Sequence, residues 1–465
     1  MLTVFIVLLL SACLTCFIAP RYSLPAILLI GFTQDSFRKL IEGEPFIFVL
    51  MVGVVFAVVF ITTLNRIGAN RSIEPFTGWS TNTSQPLTAF FILLAVQFLH
   101  SYLRFGSPFI SLIGLISYLA PFFAIVVGYY SVNRAQDIRR FMLLYVVAGL
   151  VVAATVIMSF IGIEWTIFKE IGSGLKIYDQ GTVLRSYSGF MRTGEVAAWH
   201  CAITACFIIV LFMTSKSKKS AILVIALVAF LLTAAVLTGR RKMVMLFSVF
   251  VAIYFFGFLF YAKKLTLNYL ILATFAIVVV WFGIQFFIQD VSVSKDFSNY
   301  IARGSSVYGD ATNRFVQLGF KPINWAYNRV GLLGGGLGIA SQGSHFFGNI
   351  SVAGGAGEGG LGKIMVELGL PGVIIIFWLG VAFALYISRA IFLSAQRFVP
   401  RHVMPLMLGI AVILFVNVLT FSVATQVYGD IFILILLGLL AGFLFALPKL
   451  VIRAIDEKPD HLGLN

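Results

Sequence analysis

Three consecutive cations, Arg240, Arg241 and Lys242, stand in a very short turn between two long apolar runs. Arginine's planar fork matches phosphate oxygens, and the guanidinium stays charged beside a membrane. The run after the turn begins near residue 242, which places Arg240 and Arg241 at a predicted helix start. Free N–H groups and the positive dipole end draw phosphate to such a start. The chemistry assembled is retention of an anion, and in a membrane setting that anion is a lipid-linked phosphate or pyrophosphate. The simpler alternative is that the cations snorkel to lipid headgroups, Lys242 being the plainest anchor of the three.

More cations lie in the polar segments that share this face. Loop 163–194 ends in LRSYSGFMRTGEVAAWH, so Arg185 and Arg192 flank an apolar run that starts with Glu195. The long segment 289–368 adds Arg303, Arg314 and Arg329. Proton acceptors on the same face are Glu164, Glu170, Asp179, Glu195, Asp290, Asp296, Asp310, Glu358, Glu367 and Asp430. A general base needs reach and a suitable pKa. Glu358 lies among glycines with little crowding, and His345, which titrates near neutrality when unperturbed, is its rival. Glu367, in IMVELGLPG, sits at the edge of an apolar helix: it is either functional, as intramembrane carboxylates often are, or a turn cap or arginine partner. His200 is expected to make a packing hydrogen bond. Glycines crowd 331–362, with Gly334–Gly338 as a backbone contact or a hinge. No metal or nucleotide motif occurs in a credible context, so neither metal nor cofactor is expected.

These residues need elements to hold them. The chain has 465 residues, is 60% hydrophobic and 11% charged, and has a mean hydropathy of +1.01. That excludes a soluble fold of this size. Apolar runs cover 2–19, 46–64, 86–103, 109–131, 140–162, 195–214, 220–237, 242–262, 267–288, 369–394, 403–422 and 428–448, with a weaker run at 22–33 that carries Pro25. The expected fold is therefore an all-α polytopic membrane protein of about 12–13 transmembrane helices. It divides into N-terminal helices (1–288), a large extracytoplasmic loop containing short helices (289–368), and C-terminal helices with a tail (369–465). Basic groups after the runs ending near 131, 214, 262, 394 and 448 mark one face as cytoplasmic, and put the arginine-bearing loops on the other. The net charge of +15 then reads as retained positive loops and anionic lipid, with no nucleic-acid partner. Cys13, Cys16, Cys201 and Cys206 all lie in apolar runs and are expected to pack as small hydrophobes.

Four stretches carry a family resemblance: RFVQLGFKPINWAYNRVGLLGGGLGIAS, EGGLGKIMVELGLPGVIIIF, LTGRRKMVML and RSYSGFMRTGE. Together they resemble the O-antigen ligase and polymerase superfamily. The resemblance is in an arginine followed by a G-x-G turn and an ELG-type helix entry, an arginine helix start, and an R-x-x-G segment. It covers about 185–385, and the rest by topology alone. It implies a GT-C type membrane glycosyltransferase in the bacterial cytoplasmic membrane, acting on the periplasmic or exterior side. The donor would be an undecaprenyl-pyrophosphate-linked glycan and the acceptor a saccharide, among membrane lipids, with chain-length regulator and flippase proteins as associated partners. Arg185, Arg192, Arg240, Arg241, Arg303 and Arg329 would hold the pyrophosphate, and Glu358 or His345, with Arg314, would serve the reacting centre. Aligned on ELG, the family histidine falls at Glu358, a departure that favours a Wzy-like polysaccharide polymerase over a ligase acting on lipid A core or protein. A membrane transporter and a non-catalytic envelope scaffold are the readings from other classes.

Overall fold

The computed structural model describes residues 1–68, 81–171, 176–179, 182–215, 221–262, 299–300, 303, 316–341, 347, 359–396, 403–446 and 450. Among them are thirteen α-helices: α1 (Leu2–Ile18), α2 (Ser23–Lys39), α3 (Met51–Ile67), α4 (Thr81–Phe105), α5 (Pro108–Ser131), α6 (Ala135–Phe160), α7 (Gly194–Thr214), α8 (Ala221–Leu237), α9 (Arg241–Ala262), α10 (Lys321–Val330), α11 (Gly360–Gln396), α12 (Val403–Val423) and α13 (Ile431–Phe445). A small antiparallel hairpin, β1 (Lys176–Asp179) and β2 (Thr182–Arg185), pairs Lys176 with Arg185.

Eight helices are long and apolar enough to cross a membrane: α3 with its leading turn, α4, α5, α6, α7, α9, α11 and α12. α1, α8 and α13 are equally apolar but shorter. This is a multi-pass helical membrane architecture, and each of these eleven helices falls on an apolar run of the sequence. The run at 267–288 lies outside the described residues, as does most of 289–368. The part of 289–368 that is described includes a π-turn (Val316–Phe320) and the short α10. The expected boundary at 368/369 falls on a kink within a helix. α11 begins at Gly360 and breaks at Gly369, where φ is 69°, just before Pro371.

α7 lies at the centre, with almost every residue of its first three turns buried. Two of its polar side chains are bonded there, while His200 Nε2 has no partner among the described residues. Tyr145 Oη and His200 Nδ1 are 2.7 Å apart, and Trp199 Nε1 donates to Asn417 Oδ1 at 2.8 Å. His200 is thus a packing residue, as expected. Cys16, Cys201 and Cys206 are buried free thiols, and Cys13 is half-buried. α5 and α13 meet along a seam of small residues. A Cβ on Gly438 or Gly442 would collide with the backbone at Pro121 or Ile125, so only glycine permits this separation. Large apolar side chains such as Leu10, Val147, Ile222 and Phe377 are exposed on the outer helices, where lipid would cover them.

α2 is longer than the 22–33 run from which it was read. Its polar end, Gln34 to Lys39, remains helical because Gln34, Asp35, Ser36 and Lys39 are buried against other elements. That end brings charge to one end of the bundle.

Candidate functional site

The loop between α6 and α7, the α8–α9 turn, the end of α2 and the start of α13 converge at one end of the bundle. Each is held by identifiable contacts. Gly239 adopts φ 71° and closes the α8–α9 turn, its N–H donating to Val236 O. Ser186 Oγ donates to Thr238 O at 3.0 Å, clasping the α6–α7 loop to this turn. Gly194 sits beneath that clasp, where a Cβ would collide with Ser186 Oγ. Lys39 Nζ donates to Gly189 O at 2.7 Å and to Ser188 Oγ at 3.3 Å, binding the end of α2 to the same loop. Arg303 Nε donates to Gly239 O at 3.0 Å, and Tyr300 Oη donates to Arg185 O.

Within this frame Arg185, Lys39 and Arg240 all exert their charge on Glu170. Glu170 is only 9% exposed, and its Oε1 has no hydrogen-bond partner among the described residues. Burial pushes its carboxyl up to about 7, against the pull of the three cations. Lys39 ends α2, which is not among the helices apolar enough to cross a membrane. Burial brings its ammonium down to about 8, with Asp35, Glu170 and Glu44 opposing the shift. Arg185 is exposed, its guanidinium carbon 5.6 Å from the Tyr187 ring centre. Arg240 directly precedes α9, so the expected helix start is in place. Arg241 is the first residue of that helix and is buried. Lys242 Nζ donates to Val423 O at 3.1 Å, so it ties α9 to the carbonyl end of α12 and acts as an anchor.

Arg192 has a different setting. It is 8% exposed, and its Nη1 lies 2.8 Å from Asp430 Oδ2, an ion contact whose angle is not that of an aligned hydrogen bond. Its backbone N–H donates to Asp35 Oδ2 at 3.0 Å. Asp430 also caps α13, accepting from Phe432 N at 2.8 Å and Ile433 N at 3.4 Å. Arg192 thereby joins α2, α7 and α13.

Arg329 belongs to α10, which packs on α11. Its guanidinium carbon is 5.6 Å from the Trp325 ring centre. Nearby, Phe320, Ile323, Tyr327, Leu332, Met365 and Leu370 line an open apolar groove of about 430 Å³. Arg314, His345 and Glu358 lie outside the described residues.

Glu367 is a structural hub. It is fully buried and accepts from Tyr118 Oη at 2.8 Å, Ser341 Oγ at 2.9 Å and Ala340 N at 3.1 Å. These bonds fasten α11 to α5 and to the glycine-rich turn. α4 holds that turn from the other side: Gln97 Nε2 donates to Leu333 O, and Ser101 Oγ donates to Leu337 O, each at 2.7 Å. A Cβ on Gly336 would press on Ser101, and one on Gly338 would collide with Ile110 O. Gly334–Gly338 is therefore a packed crossing of backbones against α4, α5 and α11, and the hinge alternative gives way to tight backbone contact.

Sequence reasoning passed over Asp35, Lys39, Gln97 and Ser101, and named Glu170 and Asp430 only among the candidate proton acceptors. The available signal was the polar cluster Gln34–Lys39 directly after an apolar run, since ionisable groups are costly in such a setting. Among the described residues no group of three or more His, Cys, Asp or Glu side chains could hold a metal ion. No protein-family model matches the chain, and a search of curated proteins finds no match.

Proposed function

We propose that the chain is a GT-C type membrane glycosyltransferase, a Wzy-like polymerase that extends a lipid-linked glycan. One observation carries this reading: Arg185, Arg240 and Lys39 stand on three elements that Ser186–Thr238 and Lys39–Gly189 hydrogen bonds hold together at one end of the bundle, and their charges act on one buried carboxylate. Such a convergence of cations suits a pyrophosphate diester. The resemblance of the flanking motifs to the O-antigen ligase and polymerase superfamily supports the same substrate class.

In this reading Arg185, Arg240 and Lys39 hold the pyrophosphate of an undecaprenyl-linked donor, with Arg241 and Arg303 beside the same turn. The acceptor hydroxyl attacks the anomeric carbon. The bond from that carbon to the phosphate oxygen breaks, and the pyrophosphate departs with the negative charge. The hydroxyl proton passes to Glu358 or His345. Cations fixed before the reaction stabilise the departing charge without reorganising. Arg192, engaged with Asp430, positions the loop that carries Arg185 rather than binding the anion itself.

The test is incubation of purified protein with a lipid-pyrophosphate-linked repeat unit, without nucleotide sugar or added metal. A ladder of longer lipid-linked glycans supports a polymerase, provided Arg240→Gln slows its formation strongly. Transfer only on adding lipid A core or a protein acceptor makes the chain a ligase with the same donor chemistry. With folded protein and verified native substrate, no reaction in either format overturns the reading in favour of transport or scaffolding.

A further inference from the structure

Glu170 is an unusual residue to place among cations. It is nine-tenths buried, yet Oε1 accepts no hydrogen bond from Arg185, Lys39, Arg240 or any other described residue. Buried carboxylate oxygens are normally hydrogen-bonded, and an exception calls for a cause. The three cations come from the hairpin, the end of α2 and the α8–α9 turn. Their charge acts on Glu170 while none of their N–H groups closes on Oε1. An arrangement of this kind leaves the carboxylate balancing their charge without being fixed by them, so that an arriving anion can take over that balance.

Resting on the reading of this cluster as a pyrophosphate holder, we propose that Glu170 is a charge placeholder that takes up a proton when the anionic ligand binds. An anion drawn to Arg185, Lys39 and Arg240 competes for the charge that keeps Glu170 ionised. It also brings like charge close to a desolvated carboxylate. Both effects favour the protonated acid. Ligand binding is then linked to uptake of a proton, and by reciprocity acidification strengthens binding.

The other charges around Glu170 do not replace it in this role. Behind Lys39 stand Asp35, Arg38 and Glu44, and Glu44 is paired with Lys169 at 3.0 Å. The carbonyl of Arg192 accepts the N–H of Ile171, next to Glu170, but the Arg192 guanidinium faces Asp430. Arg303 bonds the far side of the turn at Gly239. Glu170 titrates near 7 and Lys39 near 8, so between these values Glu170 is the main proton acceptor and Lys39 a lesser one.

The experiment is calorimetry of the full-length protein in detergent, with a water-soluble short-chain prenyl pyrophosphoryl sugar as probe. The phosphates of such a diester stay ionised over this range. Binding is measured between pH 7 and pH 8 in two buffers of different ionisation enthalpy. The expected result for the wild type is uptake of more than half a proton per bound probe, with affinity falling several-fold across that unit, toward a limit of about tenfold. In Glu170→Gln, uptake shrinks to the smaller Lys39 share and the affinity is higher and flatter with pH. Probe binding that depends on Arg240 but takes up no proton in the wild type overturns the inference and leaves the pyrophosphate site standing. No binding by folded wild type, or binding that Arg240→Gln leaves unchanged, removes the site and the inference with it.

Discussion

Arg192 and Asp430 form a buried ion pair, 2.8 Å apart, between the entry of α7 and the cap of α13. Both partners are enclosed: side-chain exposure is 9% for Arg192 and 2% for Asp430. The pair follows from the placement of Asp35, which holds the Arg192 backbone from the opposite side.

Breaking this pair from one side leaves an uncompensated charge in a buried site. Asp430→Ala also removes the cap from two α13 N–H groups. A loss of about 3–5 kcal/mol is expected for it, whereas Asp430→Asn keeps an acceptor for the cap and loses less. Thermal unfolding in a fixed detergent ranks the variants. Equal melting temperatures for Asp430→Ala and wild type would show that the pair does not hold the helices.

Glu170 gives a signed pH dependence of stability. Its carboxyl is held at about 7 in the folded chain against an ordinary 4.5. Between these values the folded state keeps a proton that the unfolded chain releases, so this contribution is complete below 4.5 and is lost as pH rises to about 7. Glu170→Gln cannot ionise. Its melting temperature should gain on the wild type across that window and hold the gain above it. Parallel curves would refute the placement of Glu170.

Glu367→Ala strips an acceptor from three donors, Tyr118 Oη, Ser341 Oγ and Ala340 N. Orphaned buried donors cost about 1–3 kcal/mol each. The variant should unfold at markedly lower temperature and expose the 331–341 turn to protease. A variant that stays stable but becomes inactive would point to a chemical role instead.

Gly338 and Gly106 separate two uses of a positive φ. Both adopt it, at 88° and 63°, but Gly106 has nothing within 4 Å of an added Cβ, whereas Gly338 has Ile110 O in the way. Gly106→Ala should cost about 1 kcal/mol of backbone strain. Gly338→Ala should cost clearly more, because α5 must move. Equal melting shifts would mean that the turn is loose after all.

On the proposed glycosyltransferase reading, the cation cluster dominates the rate. Arg240→Gln or Arg185→Gln should lower the rate of glycan extension about 10²- to 10³-fold, in line with loss of one preorganised charge contact. Arg329→Gln, on α10 and against Trp325, should cost far less. The initial rate with saturating lipid-linked donor distinguishes them, and an Arg329 effect equal to that of Arg240 would extend the site to α10.

The membrane helices were legible because an apolar stretch in this chain has no other place to go. The positive charge between them put loop 163–194 and turns 238–242 and 423–429 on one face, and described residues in and beside these loops meet at one end of the bundle. What stayed hidden depends on partners far away in the chain. α2 reads as ending near residue 33 because apolar periodicity stops there, yet Asp35 and Lys39 continue it by bonding to Arg192 N and Gly189 O. Nothing local to Arg192 reveals that Asp430 receives its charge. A glycine run likewise reads the same whether it bends or is wedged, and only the proximity of Ser101 and Ile110 decides. Glu367 was identified as a residue with a task, but its three donors come from two other segments.

The clamp of Asp35, Arg192 and Asp430 also bears on how the protein is made. Asp35 and Arg192 leave the ribosome with α2 and α7, whereas Asp430 emerges with α13, after every other described helix. Until then Arg192 has no counter-charge from α13, and the loop carrying Arg185 has only its earlier ties. Assembly of the cation cluster is thus timed to the arrival of α13, which acts as a checkpoint: the loop carrying Arg185 gains its full set of ties only once that helix is in place.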